Sequence, residues 1–421
     1  MRKLERQLTL KDGIFLSIGS IMGSGVLFLP SLIYSNVGYN VLYVWLIATL
    51  LCFPLLYIFV DMIGVIPNGS GIQGFVSFGL GHRMGAAIPL LFLGTVCLGM
   101  PASALIVGEY VRFFFHAGSE FQYLTAIVII VLGTVSNILG IRSSSYVQII
   151  ISLMLLAVGI VIFLLTYKLS SESLKMFKLP SNIWALLPGI VVAFWAYAGF
   201  ENLTFMAGEF KHPQRDLKRS MIIALVVCGL LYILLSLSFT YAIPQNKVNP
   251  LVGLYQLAEV SGRGIVYTFI VTFFAFLSVQ VNFNSWIWGI SRLIYSSSKQ
   301  KILPSFFSEL NMRSIPVRAV FLLSIAFIAM VSLFMVFPGF LKLAIYMVST
   351  NFICIYLICI FSYMRFKKSL ITSIFSCAVG GGLCFALISS GWLLLYPAMI
   401  VLFAYLFYKN ADNLKECTEN A

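Results

Sequence analysis

Ile18-Gly19-Ser20-Ile21-Met22-Gly23-Ser24-Gly25-Val26-Leu27-Phe28-Leu29-Pro30 lies inside an apolar segment, Gly13 to Asn36, that is long enough to cross a bilayer as helix. Three glycines and two serines crowd its middle. Glycine costs about 1 kcal/mol relative to alanine in a helix interior, so the cluster marks a place where the helix unwinds. In hydrocarbon a broken helix survives only where protein or a water-filled cavity surrounds it. The half-helix that follows aims bare N–H groups at the break, which makes an anion site with no cationic side chain. The alternative is that small residues merely let another helix pack closely; so dense a cluster favours the break.

The only other span interrupted in this manner reads Val192-Ala193-Phe194-Trp195-Ala196-Tyr197-Ala198-Gly199-Phe200-Glu201-Asn202 and continues to Gly208. A charged side chain near the centre of an isolated spanning helix costs at least about 2.5–3.5 kcal/mol on insertion scales. Glu201 is therefore expected to face protein or water.

A spanning helix needs about 20 apolar residues, and twelve segments qualify: 13–36, 41–66, 86–115, 121–139, 143–167, 185–207, 217–242, 264–296, 317–336, 338–363, 370–390 and 392–408. The first and sixth each open a block of five. Interruptions in corresponding positions of two halves point to an inverted-repeat transporter with its site between them. The expected organisation is an all-α integral membrane protein with 12 transmembrane helices. Residues 1–12 form a cytoplasmic N-terminus, 13–167 and 185–363 two five-helix repeats, 370–408 two further spans and 409–421 a cytoplasmic tail.

Composition agrees. Of 421 residues, 60% are hydrophobic and only 10% charged, against about 25% charged in a soluble domain. No basic start, short apolar core and small-residue cleavage site precedes the first span, so no removable signal peptide is expected. The formal charge of +13 could suggest a nucleic-acid partner, but its distribution argues against one. Of the 27 Lys and Arg, all but Arg112, Lys168, Lys175, Lys178, Lys247, Arg263 and Lys342 fall in loops of one parity. That bias fits the positive-inside rule with both termini in the cytoplasm. None of the eight cysteines forms a Cys-x-x-Cys pair, so they read as buried thiols rather than disulfides or metal ligands.

In span eight, Ser278, Asn282 and Ser285 recur at spacings of four and three and share one helical face. Such a face lines a path or grips another helix, and the path is the preferred reading. Pro67 to Gly71 is expected to be a turn, with a short interfacial or re-entrant helix over Ile72 to Gly81. Glu209 to Arg219 reads as a loop anchored at the headgroups, and Asp61 and Glu109 as pairing partners near span ends. The three histidines, His82, His116 and His212, fall in loops or at span ends, with no His-x-x-x-His or carboxylate pair. An intramembrane enzyme, which needs a nucleophile–base pair or metal ligands, is thus disfavoured, and no cofactor is expected.

These residues resemble the amino acid–polyamine–organocation transporter superfamily. Gly19-Ser20-Ile21-Met22-Gly23-Ser24-Gly25-Val26 with Pro30 is similar to its first-helix Gly-Ser-Gly motif. Phe194 to Glu201, followed by Gly208-Glu209-Phe210-Lys211-His212-Pro213, resembles its sixth-helix pattern and Gly-Glu-x-x-x-Pro turn. Arg292-Leu293-Ile294-Tyr295 with Leu303-Pro304 and Pro316 looks like the end of its eighth helix and the loop beyond. The resemblance implies the 5+5 inverted repeat of the LeuT-like fold, multi-pass in the cytoplasmic (inner) membrane, and an amino acid as substrate. Carried over by position, the substrate carboxylate meets Ser24 and Gly25 beside Gly23, and its amine the carbonyls of Ile21, Trp195 and Ala198.

Trp195 and Trp286 match an aromatic floor and gate in the arginine/agmatine antiporters of that superfamily, whereas Met100 replaces a third-helix Asn that contacts guanidinium. With Val96, Cys97, Leu98 and Pro101 around it, the wall is apolar. Such a wall strips water from a charged side chain without replacing it. Neutral, apolar substrates such as methionine, leucine, isoleucine and valine are therefore expected. The chain is also similar in length to the superfamily's methionine and branched-chain amino acid exporters; an importer of other amino acids or amines, or a non-transporting sensor, is the alternative. Glu201 and Asn202 are candidates for coupling and gating, Glu201 as a proton-sensitive group beside the site. Gln148 to Leu156 has Ser152 and no Lys where some proton-coupled members carry one, and Ser278, Asn282 and Ser285 could offer some oxygens to sodium. Proton-linked or exchange transport is preferred to sodium coupling.

Overall fold

The computed structural model describes residues 8–65, 71–140, 145–167, 182–199, 201–205, 209–262, 264–367 and 370–408. The turn expected at 67–70, the termini 1–7 and 409–421, and Arg142, Lys168, Lys175, Lys178, Gly208 and Arg263 lie outside these residues. The named elements are helices in chain order: α1 (Leu10–Met22), α2 (Gly25–Val37), α3 (Val41–Val65), α4 (Gly71–Leu80), α5 (His82–Phe115), α6 (Ser119–Ile138), α7 (Ser145–Thr166) and α8 (Leu187–Tyr197). They continue with α9 (Asn202–Phe205), α10 (Pro213–Ala242), α11 (Gly253–Val260), α12 (Gly264–Lys299), α13 (Val317–Val336), α14 (Phe340–Phe366), α15 (Leu370–Leu387) and α16 (Leu395–Phe407). Among the described residues, eight helical stretches are long and apolar enough to cross a membrane. β pairing there is confined to one isolated bridge between Leu8 and Phe210.

The segment 13–36 is two helices. A capping box starts α1: Thr9 N–H donates to Asp12 Oδ2 at 2.9 Å, and Asp12 N–H to Thr9 Oγ1 at 3.5 Å. Both orphan donors are satisfied by side chains within the first turn. The helix stops at Gly23 and restarts at Gly25. The segment 185–207 divides likewise. Here α8 ends at Tyr197, with Ala198 extended and Gly199 at φ +132°, before the short α9. A β-carbon on Gly199 would stand 2.5 Å from the carbonyl oxygen of Ser20 and 3.0 Å from the amide nitrogen of Ile21. The two interruptions therefore touch backbone to backbone, which only a residue lacking a side chain and tolerating this dihedral permits.

A break in hydrocarbon leaves carbonyls without partners, and α12 supplies some. Ser278 Oγ donates to Gly23 O at 2.7 Å, and Asn282 Nδ2 to Ser20 O at 2.9 Å and Gly19 O at 3.3 Å. The polar face of α12 thus grips the end of α1, the second of the two uses its spacing allowed, while Asn282 also borders a cavity. Two amide hydrogens and a hydroxyl serve three released carbonyls, a use that spacing alone cannot distinguish from a path.

The loop expected at the headgroups is corrected in part. Glu209 and Phe210 are buried, while Lys211 and His212 are exposed. Leu8 N–H donates to Glu209 O and Lys211 N–H to Leu8 O, both at 2.9 Å. Arg292 Nε stands 2.6 Å from Glu209 Oε1, its guanidinium over the Trp288 ring. Asp61 pairs with Lys367 at 3.1 Å, and Glu109 with Arg112. The third span begins at His82 rather than 86, and a 3-10 turn (Ile388–Leu394) with Gly391 at φ +51° joins α15 to α16.

Gly199→Ala is expected to lower the apparent Tm of the detergent-purified protein by more than Gly81→Ala does. Gly81 has φ +88° and nothing within 4 Å of its would-be β-carbon, so it suffers only the dihedral strain, about 1–3 kcal/mol. Equal shifts in a thermal-melt comparison would remove the close approach from the account.

Candidate functional site

A cavity opens where the two breaks meet. Ser20, Ile21, Ser24 and Gly25 line it from the first break, Trp195 and Ala198 from the second, and Asn282 and Trp286 from α12. α5 contributes Thr95, Val96, Gly99, Met100 and Ser103, and α14 adds Val348 and Phe352. The space is about 20 Å3, room for roughly one water. Among the described residues that line it, none is Asp, Glu, Lys, Arg or His. Its polar capacity is main-chain amides and carbonyls, three serine hydroxyls, the Thr95 hydroxyl, the indole N–H groups of Trp195 and Trp286 and one amide side chain.

The polar end lies at the first break. Gly25 opens α2, and Leu27 N–H already turns back to Ser24 O at 3.0 Å. Ser24 makes no side-chain cap to its own helix. Its Oγ instead sits 2.6 Å from Ser103 Oγ, which is 2.8 Å from Gly99 O. The first-turn amides of α2 therefore face the break as donors with positive dipole end. A β-carbon on Gly25 would lie 3.1 Å from Tyr232 Oη, 3.2 Å from Leu29 Cδ1 and 3.5 Å from Ala196 Cα; a methyl there is tight, and a branched side chain collides.

The opposite walls are apolar. Phe28 meets Trp195 edge to face at 5.4 Å between ring centroids. Trp286 tilts against Phe352 at 6.0 Å, and Phe352 stacks on Tyr356 at 6.1 Å. Met100, Trp195 and Trp286 are all nearly buried. Thr95 is occupied elsewhere: its hydroxyl donates to Leu91 O at 2.9 Å and accepts from Asn351 Nδ2 at 2.6 Å.

Of the residues singled out from sequence, the structure brings Ile21, Ser24, Gly25, Met100, Trp195, Ala198, Trp286 and Asn282 to this one cavity. Gly23 ends α1 beside it, against Asn282. Ser278 holds Gly23, and Ser285 is buried on the same helix outside the lining. Glu201 is wholly buried and turns back on its own break: Oε2 accepts from Gly199 N–H at 3.0 Å and from Tyr356 Oη–H at 3.2 Å. Asn202 opens α9, and its side chain lies outside the described residues.

Sequence reasoning missed Tyr232. From α10 its hydroxyl reaches Ala196 O at 3.0 Å and Ile21 O at 3.2 Å, sharing one proton between the ends of both interrupted helices. Trp45 stacks on its ring at 4.7 Å and donates to Ser236 Oγ at 2.6 Å. One tyrosine among 20 in an apolar span carries no signal of this. Ser103 was missed for the same reason, since its partner Ser24 is 79 positions away.

Comparison with known proteins agrees with this architecture. The family described as amino acid permease matches residues 8–410. An uncharacterized amino acid permease of Bacillus subtilis, YecA, is 25% identical over 98% of each chain. The L-methionine/branched-chain amino acid exporter YjeH of Escherichia coli is 26% identical over 96% of each. An aspartate-proton symporter of Bacillus subtilis is 24% identical over 73% of this chain and 63% of its own length. With a match over nearly its whole length and apolar helices that can span a bilayer, this chain belongs to the amino acid permease family of membrane transporters.

Proposed function

We propose that this permease moves neutral, apolar amino acids, methionine, leucine, isoleucine and valine among them, across the cytoplasmic membrane. The reading rests above all on a cavity with main-chain dipoles at one end, apolar side chains at the other and no ionised group among its described lining residues. A zwitterion needs donors and acceptors about a charge separation apart, and two opposed helix breaks supply both. The carboxylate sits at Ser24 and Gly25 by Gly23. The amine faces the carbonyls of Ile21, Trp195 and Ala198. Ile21 O accepts from Tyr232 and Trp195 O from Ala198 N–H, yet each carbonyl keeps a second lone pair. The substrate side chain packs on Met100, Val96, Val348 and Phe352, with Trp195 and Trp286 as floor and gate. A charged side chain would lose water there without a partner. The methionine/branched-chain exporter similar over nearly the whole chain favours the same substrate class.

The carrier works by alternating access, as an exporter or a proton-linked or exchange carrier. A cavity with room for one water admits an amino acid only when its walls part. In this reading twelve spans form repeats over 13–167 and 185–363, followed by 370–408, with both termini cytoplasmic, and one repeat rocks against the other. Glu201 is the proton-sensitive group, joined to the site through Gly199. Ser278 and Asn282 transmit the state of the break to α12, with Ser285 and Asn202 in the same coupling region. Import is the second direction the same site permits.

A panel of radiolabelled amino acids in proteoliposomes, with and without a pH gradient, tests the whole. Flux is expected for methionine and the branched-chain amino acids and to respond to the gradient; flux of aspartate or arginine alone, or none of any substrate, overturns the reading. Gly25→Val should weaken methionine binding by about 10–100-fold, the loss of hydrogen bonds to a charged group, while protein level in the membrane is unchanged; wild-type affinity would refute the carboxylate site. Met100→Asn should weaken leucine relative to serine by about tenfold, because a buried amide without partners faces an apolar side chain. Equal losses for both substrates in a competition assay would remove Met100 from selectivity.

A further inference from the structure

A second cavity, about 360 Å3, lies on the flank of the bundle between α3, α14 and α15, and its lining is largely apolar. Phe53 and Tyr57 of α3 and Phe375 of α15 line it and are 38%, 53% and 58% exposed, so it opens toward whatever surrounds the bundle. For a membrane permease that is lipid. Tyr363 and Ser376 also line it. The lining lies within about two turns of the end of α14 at Phe366 and of the start of α15 at Leu370, roughly 10 Å of helix rise. On α14 and α15 it therefore lies near the ends that the basic connection joins, while Phe53 reaches toward the middle of α3.

Two independent features say what fills it. The first is charge. The connection from α14 to α15 reads Arg365-Phe366-Lys367-Lys368, three basic residues in four positions. Arg365 is exposed, and Lys367 Nζ lies 3.1 Å from Asp61 Oδ2, which also accepts from Tyr363 Oη–H at 3.0 Å. One carboxylate against Arg365 and Lys367 leaves the described rim residues with a net positive charge. The second is a buried polar group. Ser376 is 1% exposed, and its hydroxyl has no hydrogen-bond partner. In hydrocarbon no water serves it, so among the described residues it is left able to donate to an oxygen of a ligand in the groove.

We propose that this groove is a binding site for an anionic phospholipid. Its headgroup lies against Arg365 and Lys367, and a glycerol ester carbonyl, one step deeper, accepts from the Ser376 hydroxyl. An acyl chain lies across Phe53, Tyr57 and Phe375. A cationic rim beside a groove that combines one hydroxyl with aromatic and aliphatic walls matches the chemistry of a glycerophospholipid, charged head, ester and tail. A detergent or free fatty acid has a tail but lacks the combination of phosphate and ester. The site is separate from the central cavity, so it stands whichever substrate is carried.

Native mass spectrometry of the detergent-purified protein, titrated with phosphatidylglycerol or phosphatidylethanolamine of identical acyl chains, tests this. Wild-type protein is expected to retain phosphatidylglycerol in preference to phosphatidylethanolamine. K367Q should reduce that preference about fivefold, the effect of one basic residue near an anionic headgroup. S376F, which fills the groove, should cut phosphatidylglycerol retention at least fivefold, and S376A by about fivefold, one hydrogen bond. Monodispersity and Tm measured without added lipid establish that each variant is folded; should S376F misfold, S376A and K367Q carry the test. Equal retention of the two lipids by wild type overturns the anionic headgroup, and wild-type retention in the folded Ser376 variants overturns the site.

Discussion

Main-chain polar groups released in a medium without water must find partners inside the protein. Unwinding two membrane helices at Gly23 and at Ala198 and Gly199 creates such groups at mid-chain of each segment, and much of the surrounding structure answers them. Ser278 and Asn282 take the carbonyls of α1. Tyr232 takes one from each interrupted helix. Glu201 takes the amide of Gly199. The amides at the start of α2 ahead of Leu27, which bonds Ser24 O, remain as donors toward the cavity. An unsatisfied amide in such surroundings costs more than a hydrogen bond contributes, so the arrangement is held by what it would cost to leave open.

In the proposed reading, this explains why the cavity needs no ionised side chain. A carboxylate at a helix N-terminus and an ammonium among carbonyls are each met by fixed dipoles, which carry no desolvation cost of their own comparable to that of a buried lysine. The remaining lining is then free to discriminate by shape and polarity. Met100, Val96, Val348 and Phe352 offer a side chain contact and no hydrogen bond, with Thr95 already committed to Leu91 and Asn351.

The first break was legible in the sequence because so dense a cluster of glycine and serine in a hydrophobic run favours unwinding over close helix packing, and the second because Gly199, Glu201 and Asn202 interrupt an apolar span. The polar face of α12 was legible as a face, since Ser278, Asn282 and Ser285 keep helical spacing, but its purpose was not. Whether it lines a path or binds a neighbour depends on which helix lies opposite, and periodicity carries no such information. Tyr232 and Ser103 were invisible for a related reason: each is one hydroxyl in an apolar helix whose partner is distant in the chain. Glu201 read as facing protein or water, and it faces protein; its turn back onto Gly199 accompanies the extended conformation at Ala198, which composition does not encode. The burial of Glu209 and Phe210 was hidden because a charged stretch with a proline has the composition of a solvated loop.

The bridge between Leu8 and the Glu209–Lys211 segment sets how the two interrupted helices can travel. Two backbone hydrogen bonds fasten the start of α1 to the chain just beyond α9, while Tyr232 fastens the far end of α1 to α8. Held at both ends, α1 cannot tilt by itself without breaking these hydrogen bonds, so a motion that parts the cavity walls carries α1 together with α8.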